Sequence, residues 1–188
     1  MLYFSFNLNQ LEISLRPADD DQGTGVYALV NKDGTFEIRS VAEGSYTFSL
    51  FGLEHDAYVR SVRYGPDDAL EKGVQVESGT AGTIEVTVSS NGAELEGSVT
   101  DEKGAVAGAR VRISPDPLTE YNHSRRRSAS TDQFGHFSAK GIPPGKYSVT
   151  AKPPTPDDGS AYKREPQSVT LSDDDHQSMQ ITLVKVEQ

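Results

Sequence analysis

The strongest constraint on the fold is a segment that occurs twice. Residues 131–151, Thr-Asp-Gln-Phe-Gly-His-Phe-Ser-Ala-Lys-Gly-Ile-Pro-Pro-Gly-Lys-Tyr-Ser-Val-Thr-Ala, read as turn, strand, turn, strand. Residues 31–50, Asn-Lys-Asp-Gly-Thr-Phe-Glu-Ile-Arg-Ser-Val-Ala-Glu-Gly-Ser-Tyr-Thr-Phe-Ser-Leu, align with them without a gap. Gly34 falls on Gly135, Phe36 on Phe137, Val41 on Ile142, Gly44 on Gly145 and Tyr46 on Tyr147. The glycines suit turn positions with positive φ, and Pro143-Pro144 presets one turn. The Phe and Tyr rings are expected to lie between two sheets, each contributing about 2–3 kcal/mol of apolar burial. The motif therefore reads as a fold-forming hairpin rather than a binding loop.

A second pair of segments repeats as well. Val74–Val88 aligns with Val169–Leu183, again without a gap, and Val76/Leu171, Ile84/Met179, Val86/Ile181 and Val88/Leu183 agree in apolar character. The two alignments differ in offset, so the first copy carries extra residues between them, in the region of Ala57–Lys72. Two copies of one domain explain this better than one domain with two halves. A chain of 188 residues has room for two domains of about 90–100. The small-residue cluster Ser89-Ser-Asn-Gly-Ala93 places the division at 1–90 and 91–188. Asn91-Gly92 also fits a type I′ turn that would pair strands across that boundary.

Most of the remaining chain alternates apolar and polar residues over short runs. Residues 3–15 have strand-like content, clearest at Leu11, Ile13 and Leu15, and Val26–Val30 forms the next strand. Phe36 and Ile38 continue into another strand, followed by Tyr46, Phe48 and Leu50. Ala57–Tyr64 admits helical spacing, but its β-branched and aromatic content favours a strand with an irregularity. Pro66–Lys72 fits one helical turn capped by Asp67 or Asp68. In the second copy, strands are expected at Leu95–Val99, Ala109–Ile113 and, as a polar edge strand, Ser124–Ser130. Loops at Pro17–Thr24, Pro115–Asn122 and Pro153–Gly159 separate them. Many short strands, frequent turns and no long helix predict an all-β fold: two tandem antiparallel Greek-key β-sandwiches with little or no helix.

With these residues placed, the second copy resembles the carboxypeptidase regulatory-like family, whose domains are transthyretin-like (prealbumin-like) β-sandwiches. The family opening appears as Gly97-Ser-Val99-Thr-Asp101-Glu-Lys-Gly104, then Gly108-Ala109-Arg-Val111. A second signature appears as Thr131-Asp132, Gly135, Phe137, Gly141, Pro144-Gly145 and Tyr147. The first copy keeps Gly34, Phe36, Gly44 and Tyr46, has Ala42-Glu43 in place of Pro143-Pro144, and lacks a recognisable opening strand. The tandem arrangement is similar to arrays in large bacterial envelope proteins. That resemblance implies a module of a larger periplasmic, secreted or cell-surface protein, of which this chain reads as a segment. No export signal is legible at the N-terminus.

Composition narrows the chemistry. The chain has no Cys, which excludes disulfides and thiolate metal sites. A net charge of −10 disfavours general nucleic-acid or anionic-membrane binding, and no apolar run is long enough to span a bilayer. His55, His123, His136 and His176 are scattered without metal-ligand spacing, and neither a nucleophile elbow nor a P-loop is present. No catalytic, cofactor-binding or metal-ligating residue is assigned, and the resemblance to an accessory domain transfers none. The acidic clusters Asp19–Asp21, Asp67-Asp68, Asp157-Asp158 and Asp173–Asp175 could offer loop carboxylates to calcium, but they lack the D-x-D-x-D-G spacing of a calcium loop, and turn residues that aid solubility are the preferred reading.

Surface candidates remain. Tyr58, Tyr64, Tyr121 and Tyr162, read as exposed, could stack on sugar rings. Arg125, Arg126 and Arg127 could grip a phosphate or sugar acid, although edge-strand charge that blocks aggregation is the preferred reading. The favoured function is a non-catalytic spacer, stalk or interaction unit with a protein or glycan partner. The alternative is a carbohydrate- or peptide-binding accessory module of an envelope enzyme or transporter. An independent hydrolase is disfavoured.

Overall fold

The computed structural model describes residues 7–19, 24–79, 81–154, 162–163 and 165–186. The chain divides into two compact units. Unit 1 comprises residues 1–90 together with 119–124, and unit 2 comprises 91–118 with 125–188. Each has its own apolar core, centred on Ile13, Leu15, Phe48, Val62 and Val74 in unit 1 and on Leu95, Val111, Ile113, Ile142 and Tyr147 in unit 2.

Unit 1 contains β1 (Glu12–Pro17), β2 (Val26–Leu29), β3 (Gly44–Phe51), β4 (Tyr58–Tyr64), β5 (Asp67–Asp68), α1 (Ala69–Lys72), β6 (Val74–Val76) and β7 (Ile84–Ser89). They form one sheet of order β2-β1-β3-β6 and another of order β5-β4-β7. The irregularity expected in β4 is a register shift between Val59 and Ser61 against β7. The single turn α1 begins where Asp68 accepts a hydrogen bond from the Leu70 amide at 2.9 Å, the N-cap its sequence predicts.

Unit 2 contains β8 (Ala93–Asp101), β9 (Gly104–Ala105), β10 (Arg110–Pro115), β11 (Arg127–Ser130), β12 (His136–Ile142), β13 (Gly145–Lys152), β14 (Tyr162–Lys163), β15 (Gln167–Leu171), β16 (His176–Thr182) and β17 (Val184–Lys185). One sheet runs β11-β10-β13-β15 and the other β12-β8-β16, with β9 folding back on β8.

The first sheet of each unit has the same order and register. Pro17 opposes Tyr46 as Pro115 opposes Tyr147, and Gly44 opposes Val76 as Gly145 opposes Leu171. The second sheets differ. In unit 2, β8 pairs antiparallel with β12 and parallel with β16. The parallel pair is a departure from an all-antiparallel plan, and it arises because the chain crosses between sheets after β15. In unit 1, β7 pairs antiparallel with β4.

Two strand boundaries differ from expectation. The Phe36–Ile38 segment joins no ladder. Its counterpart β12 is a strand because β8 lies beside it, and unit 1 has no such neighbour among the described residues. The strand expected over Ser124–Ser130 is shorter: a 3-10 turn occupies His123–Arg125 and only Arg127–Ser130 is extended, at the edge of its sheet. The N-terminal part of the strand expected at 3–15, residues 3–6, lies outside the described residues, as does 155–159 of the Pro-rich loop. Residues 8–10 form a 3-10 turn.

Candidate functional site

The duplicated segment is not the hairpin its sequence suggests, because β12 and β13 join different sheets and the turn between them crosses from one to the other; the polar side chains of unit 2 converge on it. Thr131, which is buried, closes its base: its Oγ1 accepts from the Ala109 amide at 2.8 Å and donates to the Val106 carbonyl at 2.6 Å. Its own amide donates to the Ala109 carbonyl at 2.9 Å. Asp132 holds the turn, with Oδ1 accepting from the Phe134 and His136 amides at 2.8 and 2.9 Å. The His136 amide bond, with that of Phe134 and the nearby His136 side chain, holds the Asp132 carboxyl below its ordinary value against the opposing effect of burial. Gly135 sits at φ 79° beneath this turn, where a Cβ would stand 2.7 Å from the Val99 carbonyl. In unit 1, Asp33 plays a comparable part. Its Oδ1 accepts from the Thr35 hydroxyl at 2.7 Å and the Thr35 amide at 3.0 Å, the hydroxyl doing most to lower its pKa.

At the turn between β12 and β13, the Tyr147 hydroxyl donates to the Pro143 carbonyl at 2.7 Å, and Tyr46 repeats the contact with Ala42 at 3.0 Å. Two of the three candidate arginines serve the same loop. Arg125 Nη2 donates to the Pro144 carbonyl at 2.6 Å. Arg127 donates to the Gly141 carbonyl through Nε at 3.1 Å and Nη2 at 2.7 Å. Burial pulls the Arg127 guanidinium below its ordinary value, countered by the Tyr147 hydroxyl nearby. Arg126 is exposed. Within the run, Arg125 and Arg127 clamp the carbonyls of the Gly-Ile-Pro-Pro loop, and Arg126 stands beside the edge strand β11. Nothing in the residue types announced this, because the contact joins segments 14 and 19 residues apart.

Each candidate tyrosine is buried or half-buried within its own unit. Tyr58 is 2% exposed, which corrects its reading as a surface residue; the Arg60 guanidinium lies 5.8 Å over its ring. Tyr64 is half-buried and packed against Gly82, where any side chain would run into its ring. Tyr121, in the 119–124 segment of unit 1, is half-buried; its ring lies against Gly73 and its hydroxyl is 3.1 Å from Ser45 Oγ. Tyr162, in unit 2, is half-buried with Lys185 5.9 Å over its ring.

The acidic turns are used locally. Asp67 pairs with Lys72 at 2.6 Å, Asp68 caps α1, Asp174 accepts from Asn91, and Asp175 accepts from the Ser172 amide and Gln177. Asp20, Asp21, Asp157 and Asp158 lie outside the described residues. Among the described residues no cluster of three His or carboxylate side chains could hold a metal. No helix among them is long and apolar enough to cross a membrane.

This geometry agrees with what the sequence is similar to. Residues 94–184 match the carboxypeptidase regulatory-like domain family. The carboxypeptidase regulatory-like match spans β8 to β17 and so takes in the Thr131, Asp132, Tyr147 and Arg127 contacts above. No protein of curated function matches the sequence. Solved structures with some likeness include BcpA, the major pilin subunit of Bacillus cereus, at 12% identity and TM-score 0.41, with 94% of this chain and 95% of that chain covered. GBS52, the minor pilin of Streptococcus agalactiae, has 11% identity and TM-score 0.40, with 95% and 83% covered. A chlorocatechol 1,2-dioxygenase from Pseudomonas putida has 10% identity and TM-score 0.29, with 50% and 59% covered. At such scores none of them bears on what this chain does.

Proposed function

We propose that this chain is a non-catalytic structural and interaction module, a two-unit spacer or stalk within a larger bacterial cell-envelope or secreted protein. The observation that carries the reading is how the polar side chains in and around the β12–β13 crossover are spent. Thr131, Asp132, Tyr147, Arg125 and Arg127 all bond to backbone groups of their own unit. A catalytic constellation would instead aim a nucleophile, a base and an oxyanion donor at one open point. The match to an accessory-domain family supports the same reading, and the placement outside the cytoplasm follows from it by analogy alone.

The reading predicts reversible folding without added metal or cofactor, and no turnover of ester, peptide or glycoside substrates. Turnover by the purified chain that a single side-chain substitution abolishes, without loss of folding, would overturn it.

A further inference from the structure

The first sheets of the two units share order and register, but their outer faces differ in chemistry. The large apolar side chains that unit 1 exposes among its described residues all lie on that face: Tyr27 is 47% exposed, Leu29 65% and Phe51 50%. Pairing sets Leu29, Glu12 and Phe51 in one row across β2, β1 and β3, and Tyr27, Ser14 and Ser49 in the row two residues on. The other face, with Ile13, Leu15 and Phe48, is the core. Ser14 is 1% exposed and its Oγ has no hydrogen-bond partner among the described residues, so the patch already shuts solvent from the middle of its face.

Unit 2 carries cations at the same register. Its corresponding rows are Ser130, Arg110 and Lys152, then Ser128, Arg112 and Thr150. Arg110, Arg112 and Lys152 are exposed, and none makes an ion pair among the described residues. They stand together in a chain of net charge −10. In unit 1, Glu12 takes the place of Arg110, and it too has no ion pair among the described residues. Arg16, beyond Ser14 on β1, is turned to Tyr27, with Nη2 3.4 Å from its hydroxyl. The fold does not require the apolar residues, since serine and lysine fill the places of Leu29 and Phe51 in the sister sheet. An exposed apolar patch around a lone carboxylate marks a docking surface.

We propose that this face of unit 1 receives a second copy of the chain, docked through the cationic face of that copy's unit 2. Charge decides the occupant. Two unit 1 patches set against each other bring carboxylate to carboxylate in apolar surroundings, whereas the unit 2 face offers Glu12 a guanidinium. Arg110 meets Glu12 and lays its stem between Leu29 and Phe51. Arg112 lies on Tyr27, whose ring face suits a planar cation. The two contacts agree in spacing, because the rows of Glu12 and Ser14, like those of Arg110 and Arg112, are two residues apart on a strand. The contact is heterologous, so each copy offers one donating and one receiving face. This names a partner for the interaction module proposed above and does not depend on that module being non-catalytic.

The test is sedimentation velocity of the full chain from micromolar to near-millimolar concentration. Expected is association that follows mass action. Leu29→Ser/Phe51→Lys, which copies the residues unit 2 carries at this register, should weaken it about tenfold or more, and so should Glu12→Arg alone or Arg110→Glu/Lys152→Glu alone. Mixing those last two variants should restore association, since each reversed face then meets its opposite, and the recovery shows that both variants are folded. A chain that stays monomeric throughout the range would overturn the contact. Association that survives Arg110→Glu/Lys152→Glu would do the same, by setting patch against patch, and so would a mixture that fails to recover. A monomeric chain leaves the spacer reading standing, whereas turnover would remove that reading and leave this contact untouched.

Discussion

The Tyr147 hydroxyl donates to the carbonyl of Pro143, four residues earlier, at 2.7 Å, and the phenol that makes this bond is 1% exposed. The same contact in unit 1, Tyr46 to Ala42, is longer at 3.0 Å and only partly buried. A hydrogen bond removed from a buried acceptor costs about 1–3 kcal/mol. Tyr147→Phe is expected to destabilise the protein within that range, and Tyr46→Phe by less. Urea unfolding of the two variants checks the order; an equal or reversed cost would show that the hydroxyl contact is incidental.

Thr131 bonds with both faces of its hydroxyl, to the Ala109 amide and the Val106 carbonyl. Thr131→Val keeps the shape and strands both groups inside the unit, so the loss should reach about 2–4 kcal/mol. Thr131→Ser keeps the hydroxyl and should recover most of it. Thermal melts of the pair separate the hydrogen bonds from the methyl packing.

Gly97 lies in β8 between two strands that leave no room for a side chain. Gly97→Ala is expected to cost about 1–3 kcal/mol or more by overpacking. The cost should concentrate on the β12-β8-β16 sheet and appear as faster hydrogen exchange in β16, with β10 and β13 much less affected.

Asp132 titrates below its ordinary value because the folded turn supplies amide donors to its carboxylate. With the folded pKa depressed, the stabilisation is present above the unfolded pKa of about 3.9 and is lost as pH falls through the folded value. Asp132→Asn should therefore flatten the stability profile below about pH 4 and leave its slope near neutrality unchanged. Denaturant melts from pH 2 to 7 measure this. An unchanged acid limb would remove the carboxylate from the account.

Local features were legible in the sequence where local chemistry decides them. The Gly-x-Phe and Gly-x-Tyr spacing marked the turns and the buried rings, but the hairpin expected from it is a crossover between two sheets in unit 2. Asp68 announced the α1 cap, and the broken alternation of Tyr58–Tyr64 announced the register shift. Pairing between distant segments was not legible, because a period of two says which face is buried and not which strand lies alongside. Hence the parallel partnership of β16 with β8, and the lack of a strand beside residues 35–41 among the described residues, emerge only in three dimensions. The same holds for the surface candidates. Arg125 and Arg127 look free in a polar run and reach back to the Pro144 and Gly141 carbonyls, while Tyr58 looks like any strand tyrosine and is covered.

Two copies of one segment, one paired with β8 in unit 2 and the other with no strand among the described residues of unit 1, can be compared in a single experiment. Native-state amide hydrogen exchange on the free chain reads residues 136–142 and 35–41 side by side. Slow exchange at alternate amides of the first segment, and fast exchange in the second after the Thr35 amide that Asp33 holds, is the predicted result. Equal protection of the two segments would contradict the account.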